Sequence, residues 1–210
     1  MSYAVKEAFL TLQGEGVQAG SRAVFLRFAG CNLWSGREQD RASAQCNFCD
    51  TDFVGTDGPG GGKFGEADDL ANHVEALWGE GRDHRLVVIT GGEPMLQLDE
   101  ALIAALHARD VRVAVESNGT LPATPGIDWL CISPKAGSDV VQRSGNELKL
   151  VWPQDGFDPA RLEEWDFEHF LIQPMDREDL KGSYDASIAL AMERPKWRLT
   201  LQAHKIVGLR

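Results

Sequence analysis

Three of the four cysteines fall in one stretch, Cys31–Asp52 (CNLWSGREQDRASAQCNFCDTD). Fourteen residues separate Cys31 from Cys46, and two separate Cys46 from Cys49. A C-x-x-C pair aims two thiolates at one centre, and a longer loop can return a third. Thiolates are soft ligands, so zinc, copper(I) and iron–sulfur clusters are the candidates. A structural zinc takes four closed ligands. The fourth would be Cys131 or one of His73, His84, His107, His169 and His204, none of which sits at a short ligand spacing from another. A disulfide is the remaining use of paired thiols, and it belongs to oxidising compartments. Three thiolates on a 4Fe–4S cluster leave one iron without a protein ligand. An open coordination position is the mark of a catalytic centre.

Composition narrows what such a centre serves. At 210 residues the chain suits one domain, 1–210, with length for a single core. Its 43% hydrophobic and 25% charged residues are ordinary globular usage. A net charge of −11 argues against direct nucleic-acid binding, which concentrates Lys and Arg. The opening MSYAVKEAFLTLQGEG has no apolar core of a secretion signal, and no stretch approaches eighteen uninterrupted apolar residues. The expectation is a cytoplasmic protein with a small-molecule substrate and no membrane partner.

The elements that must position the cysteine loop read as alternating strands and helices. Val5–Leu12 is a short strand running into Gln13-Gly14-Glu15-Gly16, whose glycines allow a turn or close approach of the backbone to a ligand. Ala23–Ala29 is apolar on both faces except for Arg27, as in parallel sheets and barrels. A buried Arg needs an anion. Either Glu15 or Glu116 supplies an internal salt bridge, or a substrate carboxylate meets the planar fork. Thr56–Gly62 reads as a flexible connection, followed by a helix over Phe64–Gly79 with Leu70, Val74 and Leu77 on one face. Leu86–Thr90 is a buried strand ending in Gly91-Gly92-Glu93-Pro94, with Pro94 at the start of a helix continued by Leu98–Arg109.

Val111–Val115, Leu130–Ile132, Leu148–Val151 and Phe170–Ile172 read as further buried strands, with Cys131 a core residue inside the second. Polar segments close three of them: Glu116-Ser117-Asn118-Gly119, Ser133-Pro134-Lys135 and Gln173-Pro174-Met175. In (β/α) barrels the C-terminal strand ends build the active site. Ser183–Met192 reads as a last helix and Trp197–Ile206 as a final strand. Parallel strands need crossovers of about a dozen residues, and only some gaps here have room for a helix. The expected fold is therefore α/β: a partial, open (β/α) barrel with six parallel strands and about three main helices.

Cys-Asn-Phe-Cys, with an aromatic before the last cysteine, resembles the loop of the radical S-adenosylmethionine superfamily, although the usual first gap there is three residues. Together with Cys49-Asp50-Thr51, Gln13-Gly14-Glu15-Gly16 and Gln202-x-His204-Lys205, it resembles the 7-carboxy-7-deazaguanine synthase family, from about Phe9 onward. The resemblance implies a lyase that converts 6-carboxy-5,6,7,8-tetrahydropterin to 7-carboxy-7-deazaguanine with loss of ammonia, on the route to queuosine. It implies a 4Fe–4S cluster on Cys31, Cys46 and Cys49, with S-adenosylmethionine at the open iron. Contacts to S-adenosylmethionine would come from Asn47, Phe48, Asp50, Gly92, Glu116, Asn118, Ser133, Lys135 and Gln173. The pterin would meet Leu12, Gln13, Gly14, Glu15, Arg27, Thr90, His204 and Arg210. Thr51 would take Mg2+, with Asp50 and Asp52 as competing ligands. A flavodoxin-like or other one-electron donor and a homodimer are implied partners. Two other readings stand beside it: a glycyl-radical activase, and a zinc-stapled module without catalysis.

Overall fold

The computed structural model describes residues 2–209. Its centre is a nine-stranded sheet. Strand β1 (Tyr3–Leu12) runs antiparallel to β2 (Arg22–Phe28), and the short β3 (Gly62–Phe64) flanks β1 on the outer edge. From β2 the sheet is parallel throughout: β4 (Leu86–Gly91), β5 (Arg112–Ser117), β6 (Trp129–Ile132), β7 (Ser144–Trp152), β8 (Asp166–Pro174) and β9 (Trp197–Leu199) follow in chain order. The six expected parallel strands are β2 and β4 to β8, and β9 extends them at the far edge. The linear strand order leaves an open, partial barrel.

Three helices cover the outer face. Helix α1 (Ala67–Trp78) packs on β1 and β2, α2 (Glu100–His107) on β5, and α4 (Leu180–Glu193) on β7, β8 and β9. Asp99 and Asp179 cap α2 and α4 by accepting from Leu102 N and Gly182 N, satisfying donors that a helix start leaves free. The crossovers β5–β6 and β6–β7 carry no helix, and β7–β8 carries only α3 (Pro159–Leu162), matching their short or Pro- and Gly-rich sequences. No helix among the described residues is long and apolar enough to cross a membrane.

Four expectations need correction. Phe64, expected to open the first helix, ends β3, and α1 starts only at Ala67. Pro94 opens a separate 3-10 turn, Pro94–Leu96, and α2 starts anew after its cap Asp99. Thr56–Gly62 is not wholly a connection, because Gly62 opens β3 and pairs with Val5. The last strand stops at Leu199, and Ala203–Val207 is helix α5. The expected strand ran on to Ile206, yet that residue is exposed and the backbone turns helical after Gln202.

Alternation along the strands separates the core from the barrel interior. Val24 and Leu26 of β2, Val113 and Val115 of β5, Leu148 and Leu150 of β7, and Phe170 and Ile172 of β8 belong to the apolar core. Their neighbours Phe25, Arg27, Glu116, Lys149, Val151 and Gln173 line a cavity inside the sheet. The strands are buried on both faces, as expected. Their inner face, however, carries charged and polar side chains beside Phe25 and Val151.

Candidate active site

The cysteine loop is ordered from its own sequence. The long gap contains a 3-10 segment, Glu38–Ser43. From it Arg41 stacks over Trp34 at 4.1 Å and donates to the carbonyls of Asn47 and Cys49, each at 3.0 Å. Trp34 in turn meets the buried Phe53 edge to face. The loop's tail is pinned by Lys6, whose Nζ reaches Asp52 at 2.9 Å and Asp57 at 2.8 Å. All four cysteines are free thiols. Cys46 and Cys49 share a hydrogen bond that draws Cys49 toward the thiolate and holds Cys46 protonated. Burial pushes the Cys131 thiol well up, consistent with a core residue beside Glu147.

A cavity of about 560 Å³ opens in front of the loop. Cys46, Phe48, Cys49, Asp50 and Thr51 line it from the loop, and Gly92, Glu116, Asn118, Ser133, Lys135 and Gln173 from successive strand ends. Leu12, Gln13, Gly14, Glu15, Arg27, Thr90 and His204 line it too. Sequence reasoning thus named residues from eight separate segments that fold into one space. Cys31 and Asn47 are outside the lining: Cys31 packs against the turn at Gly92, and Asn47 is exposed with its carbonyl accepting from Arg41. Arg210 lies outside the described residues.

Gly92 shows how tightly loop and strand end meet. A Cβ there would collide with the Gly30 carbonyl and the Cβ of Cys31, so the turn after β4 needs glycine for packing as well as for ligand approach. Glu93, fully buried, accepts from Met95 N at 2.9 Å, Ser117 Oγ at 2.9 Å and Asn118 N at 2.8 Å. Asn118 donates to Asn32 at 3.0 Å, next to Cys31. The fit for an iron–sulfur cluster rests on this arrangement: three free thiols, one of them against the glycine turn, on a loop facing the cavity. Among the described residues no three His, Cys, Asp or Glu side chains converge as a single-ion site. A cluster that takes each thiolate on a different iron does not require that convergence. Gln173 adds an independent sign of a ligand: it is buried in the cavity wall with Oε1 unpartnered.

Arg27 is paired, but with neither expected carboxylate. Its Nε donates to Glu7 at 2.9 Å, and the two residues stand opposite each other across β1 and β2. Glu15 and Glu116 serve another cation, Lys149 on β7, at 2.5 Å and 2.8 Å. The sequence reading missed Lys149, Glu7, Lys6 and Glu93. Only Glu147 and Lys149, alternating in Glu-Leu-Lys-Leu, carried a usable signal of an inward polar stripe.

Comparison with known proteins agrees with this geometry. The family model described as Radical SAM superfamily matches residues 39–149. A 7-carboxy-7-deazaguanine synthase from Caulobacter vibrioides is 62% identical over 209 residues, covering 100% of both chains. The enzyme of that name from Nitratidesulfovibrio vulgaris is 53% identical over 216 residues, again covering 100% of both. The crystal structure of QueE from Escherichia coli superposes with a TM-score of 0.71 at 26% identity, covering 97% of this chain and 95% of that one. With two thiols, a glycine turn backed by the third and polar strand ends around one cavity, the chain belongs to the 7-carboxy-7-deazaguanine synthase family of the radical SAM superfamily.

Proposed function

We infer that the chain is a lyase that contracts the reduced ring of 6-carboxy-5,6,7,8-tetrahydropterin to 7-carboxy-7-deazaguanine, releasing ammonia. One observation carries this most: the cysteine loop, the Gly-Gly-Glu-Pro turn and Arg27 all face the same cavity. The reaction balances without an external oxidant, because the hydrogen removed from the pterin is returned after rearrangement. Cys31, Cys46 and Cys49 would hold a 4Fe–4S cluster, which when bound would supply the electron for reductive cleavage of S-adenosylmethionine.

The side chains bind and orient. Glu116 suits ribose hydroxyls, and the open Oε1 of Gln173 accepts an N–H of S-adenosylmethionine. Asn118, Ser133 and Lys135 complete that half, with Lys135 Nζ held by the carbonyl and hydroxyl of Ser133 at 2.7 and 2.8 Å. Phe48, Asp50 and Gly92 face it from the loop and the turn. Gln13, Glu15, Thr90 and His204 surround the pterin. Arg27 takes its carboxylate while Glu7 fixes the guanidinium plane.

Thr51 is the Mg2+ ligand in this reading. Both rival carboxylates are engaged: Asp50 by Lys205 at 2.7 Å and Asp52 by Lys6 at 2.9 Å. A hydroxyl together with substrate oxygens and water suits this hard cation, which keeps part of its hydration shell. A one-electron donor, a cytoplasmic setting and a homodimer complete the proposal. The test is anaerobic turnover of reconstituted protein with the carboxytetrahydropterin, S-adenosylmethionine, Mg2+ and dithionite. Equimolar carboxydeazaguanine and ammonia are expected. Cleavage of S-adenosylmethionine with the pterin left intact would overturn the assignment.

A further inference from the structure

Lys149 stands at the centre of a closed ring of hydrogen bonds built from three distant parts of the chain. Its Nζ donates to Glu15 Oε2 at 2.5 Å and Glu116 Oε2 at 2.8 Å. The second oxygen of each carboxylate is also taken, Glu15 Oε1 by Gln202 at 2.9 Å and Glu116 Oε1 by Gln13 at 2.8 Å. Glu15 N donates to Gln13 Oε1 at 3.1 Å and closes the ring. The Lys149 side chain is only 3% exposed, and it lines the cavity together with both carboxylates.

A purely stabilising role explains this poorly. Taking three charges out of water is costly, and well-packed apolar residues commonly do as well or better. What the cation does provide is a fixed ionisation state. Two carboxylates sharing a site without a counter-charge cannot both stay ionised near neutral pH. Burial pushes the Glu15 carboxyl up, but Lys149, by charge and hydrogen bond, with Gln202 and His204, outweighs it and brings it down to about 2.

We propose that Lys149 is a positioning residue for the reaction: it holds the carboxyl groups of Glu15, on the pterin side, and Glu116, on the S-adenosylmethionine side, as acceptors in one rigid frame. This rests on the binding roles given above. The pterin's aminopyrimidinone edge presents N–H donors, which an ionised carboxylate accepts well and a protonated one accepts poorly. One cation shared between the two halves also sets the distance between them.

The test is equilibrium binding of the carboxytetrahydropterin, by calorimetry, to cluster-reconstituted protein loaded with S-adenosylmethionine, without reductant, from pH 6 to 8.5. Other titratable groups face this ring: His204 beside Glu15, and Cys131 and Lys135 near Lys149, with Glu147 beside Cys131. The readout is therefore the difference between variant and wild-type profiles, in which these groups are shared. Lys149→Met should weaken pterin binding on the order of tenfold at the acid end and regain affinity as pH rises, as one carboxylate of the unpaired couple loses its proton. A Lys149→Met profile parallel to that of wild type would overturn the proposal. Lys149→Met/Glu116→Gln removes one negative charge with the cation, so its profile should return to the wild-type shape. Should the single variant fail to fold, recovery of a folded protein in the double variant supports charge balance by Lys149. A double variant equally unfolded would leave only a packing role and sink the idea. If the pterin does not bind wild type at all, the functional reading fails and not the role of Lys149.

Discussion

The carboxylate of Glu93 accepts the backbone N–H of Asn118 at 2.8 Å, joining the glycine turn after β4 to the end of β5. Because Ser117 and Met95 also donate to it, one buried side chain fixes two strand ends that face the cavity.

Removing that side chain should cost more than a typical polar substitution. Glu93→Ala leaves three donors without their acceptor in a fully buried spot, and each unsatisfied buried group costs about 1–3 kcal/mol. Urea unfolding should show a loss of several kcal/mol, with S-adenosylmethionine affinity falling alongside. Glu93→Gln keeps one acceptor oxygen and should lose about half as much. Equal stability of Glu93→Ala and wild type would mean that water replaces the carboxylate.

The four cysteines should divide three to one. Cys31→Ala, Cys46→Ala and Cys49→Ala should each lose bound iron after anaerobic reconstitution. Cys131→Ala should keep iron content at the wild-type level, because Cys131 sits on β6, 1% exposed, beside Glu147 rather than beside the loop. Iron lost from Cys131→Ala as well would point to a four-thiolate site.

The strand pattern and its polar ends were legible because parallel strands are apolar runs and their ends punctuate them. What sequence could not supply was register. Arg27 in an apolar run demanded an anion, but only the pairing of β1 with β2 shows Glu7 directly across from it. Leu148–Val151 read as a four-residue strand, whereas β7 runs Ser144–Trp152 and turns Glu147 and Lys149 inward. Its polar half looked like loop, since a polar residue facing a barrel interior and one facing solvent are alike in sequence. For the same reason the polar face of the barrel emerged only when the strands were assembled. Gln13–Gly16 and the cysteine loop were readable by motif; the ring that ties Gln13 and Glu15 to β5 and β7 was not.

Acid titration should report Glu15 directly. Its folded carboxyl lies near 2, below the ordinary Glu value of about 4.3. A depressed carboxyl contributes stability that is full above the unfolded value and is lost as pH falls through the folded one. The stability difference between wild type and Glu15→Gln should therefore be level from neutral pH down to about 4.5, then shrink toward pH 2. A difference that changes instead between pH 6 and 8 would contradict an ionised Glu15 at neutral pH.

Thr51 should control the response to magnesium. Asp50 is paired with Lys205 and Asp52 with Lys6, which leaves Thr51 as the residue of Asp50-Thr51-Asp52 that lines the cavity without an ion pair. Thr51→Ala should lose magnesium stimulation of turnover, while Asp50→Asn keeps it. An identical magnesium response in Thr51→Ala and wild type would remove Thr51 from the metal site.

Arg27 distinguishes a structural ion pair from a substrate clamp. Its pairing with Glu7 uses Nε, at 2.9 Å, and the residue lines the cavity with a side chain 18% exposed. If the pair served only to neutralise a buried charge, Glu7→Gln and Arg27→Lys would have similar consequences. A clamp on the pterin carboxylate predicts otherwise. Lysine keeps the charge but loses the planar fork, and one charge-assisted contact is worth roughly 1.5–3 kcal/mol, or about ten- to a hundredfold in affinity. Arg27→Lys should raise the KM for the pterin by that factor and leave uncoupled cleavage of S-adenosylmethionine near the wild-type rate. Glu7→Gln retains a carbonyl oxygen to accept from Nε and should raise the KM only severalfold. Matching KM values for the two variants, both close to wild type, would return Arg27 to a structural role and leave the carboxylate to another residue of the cavity.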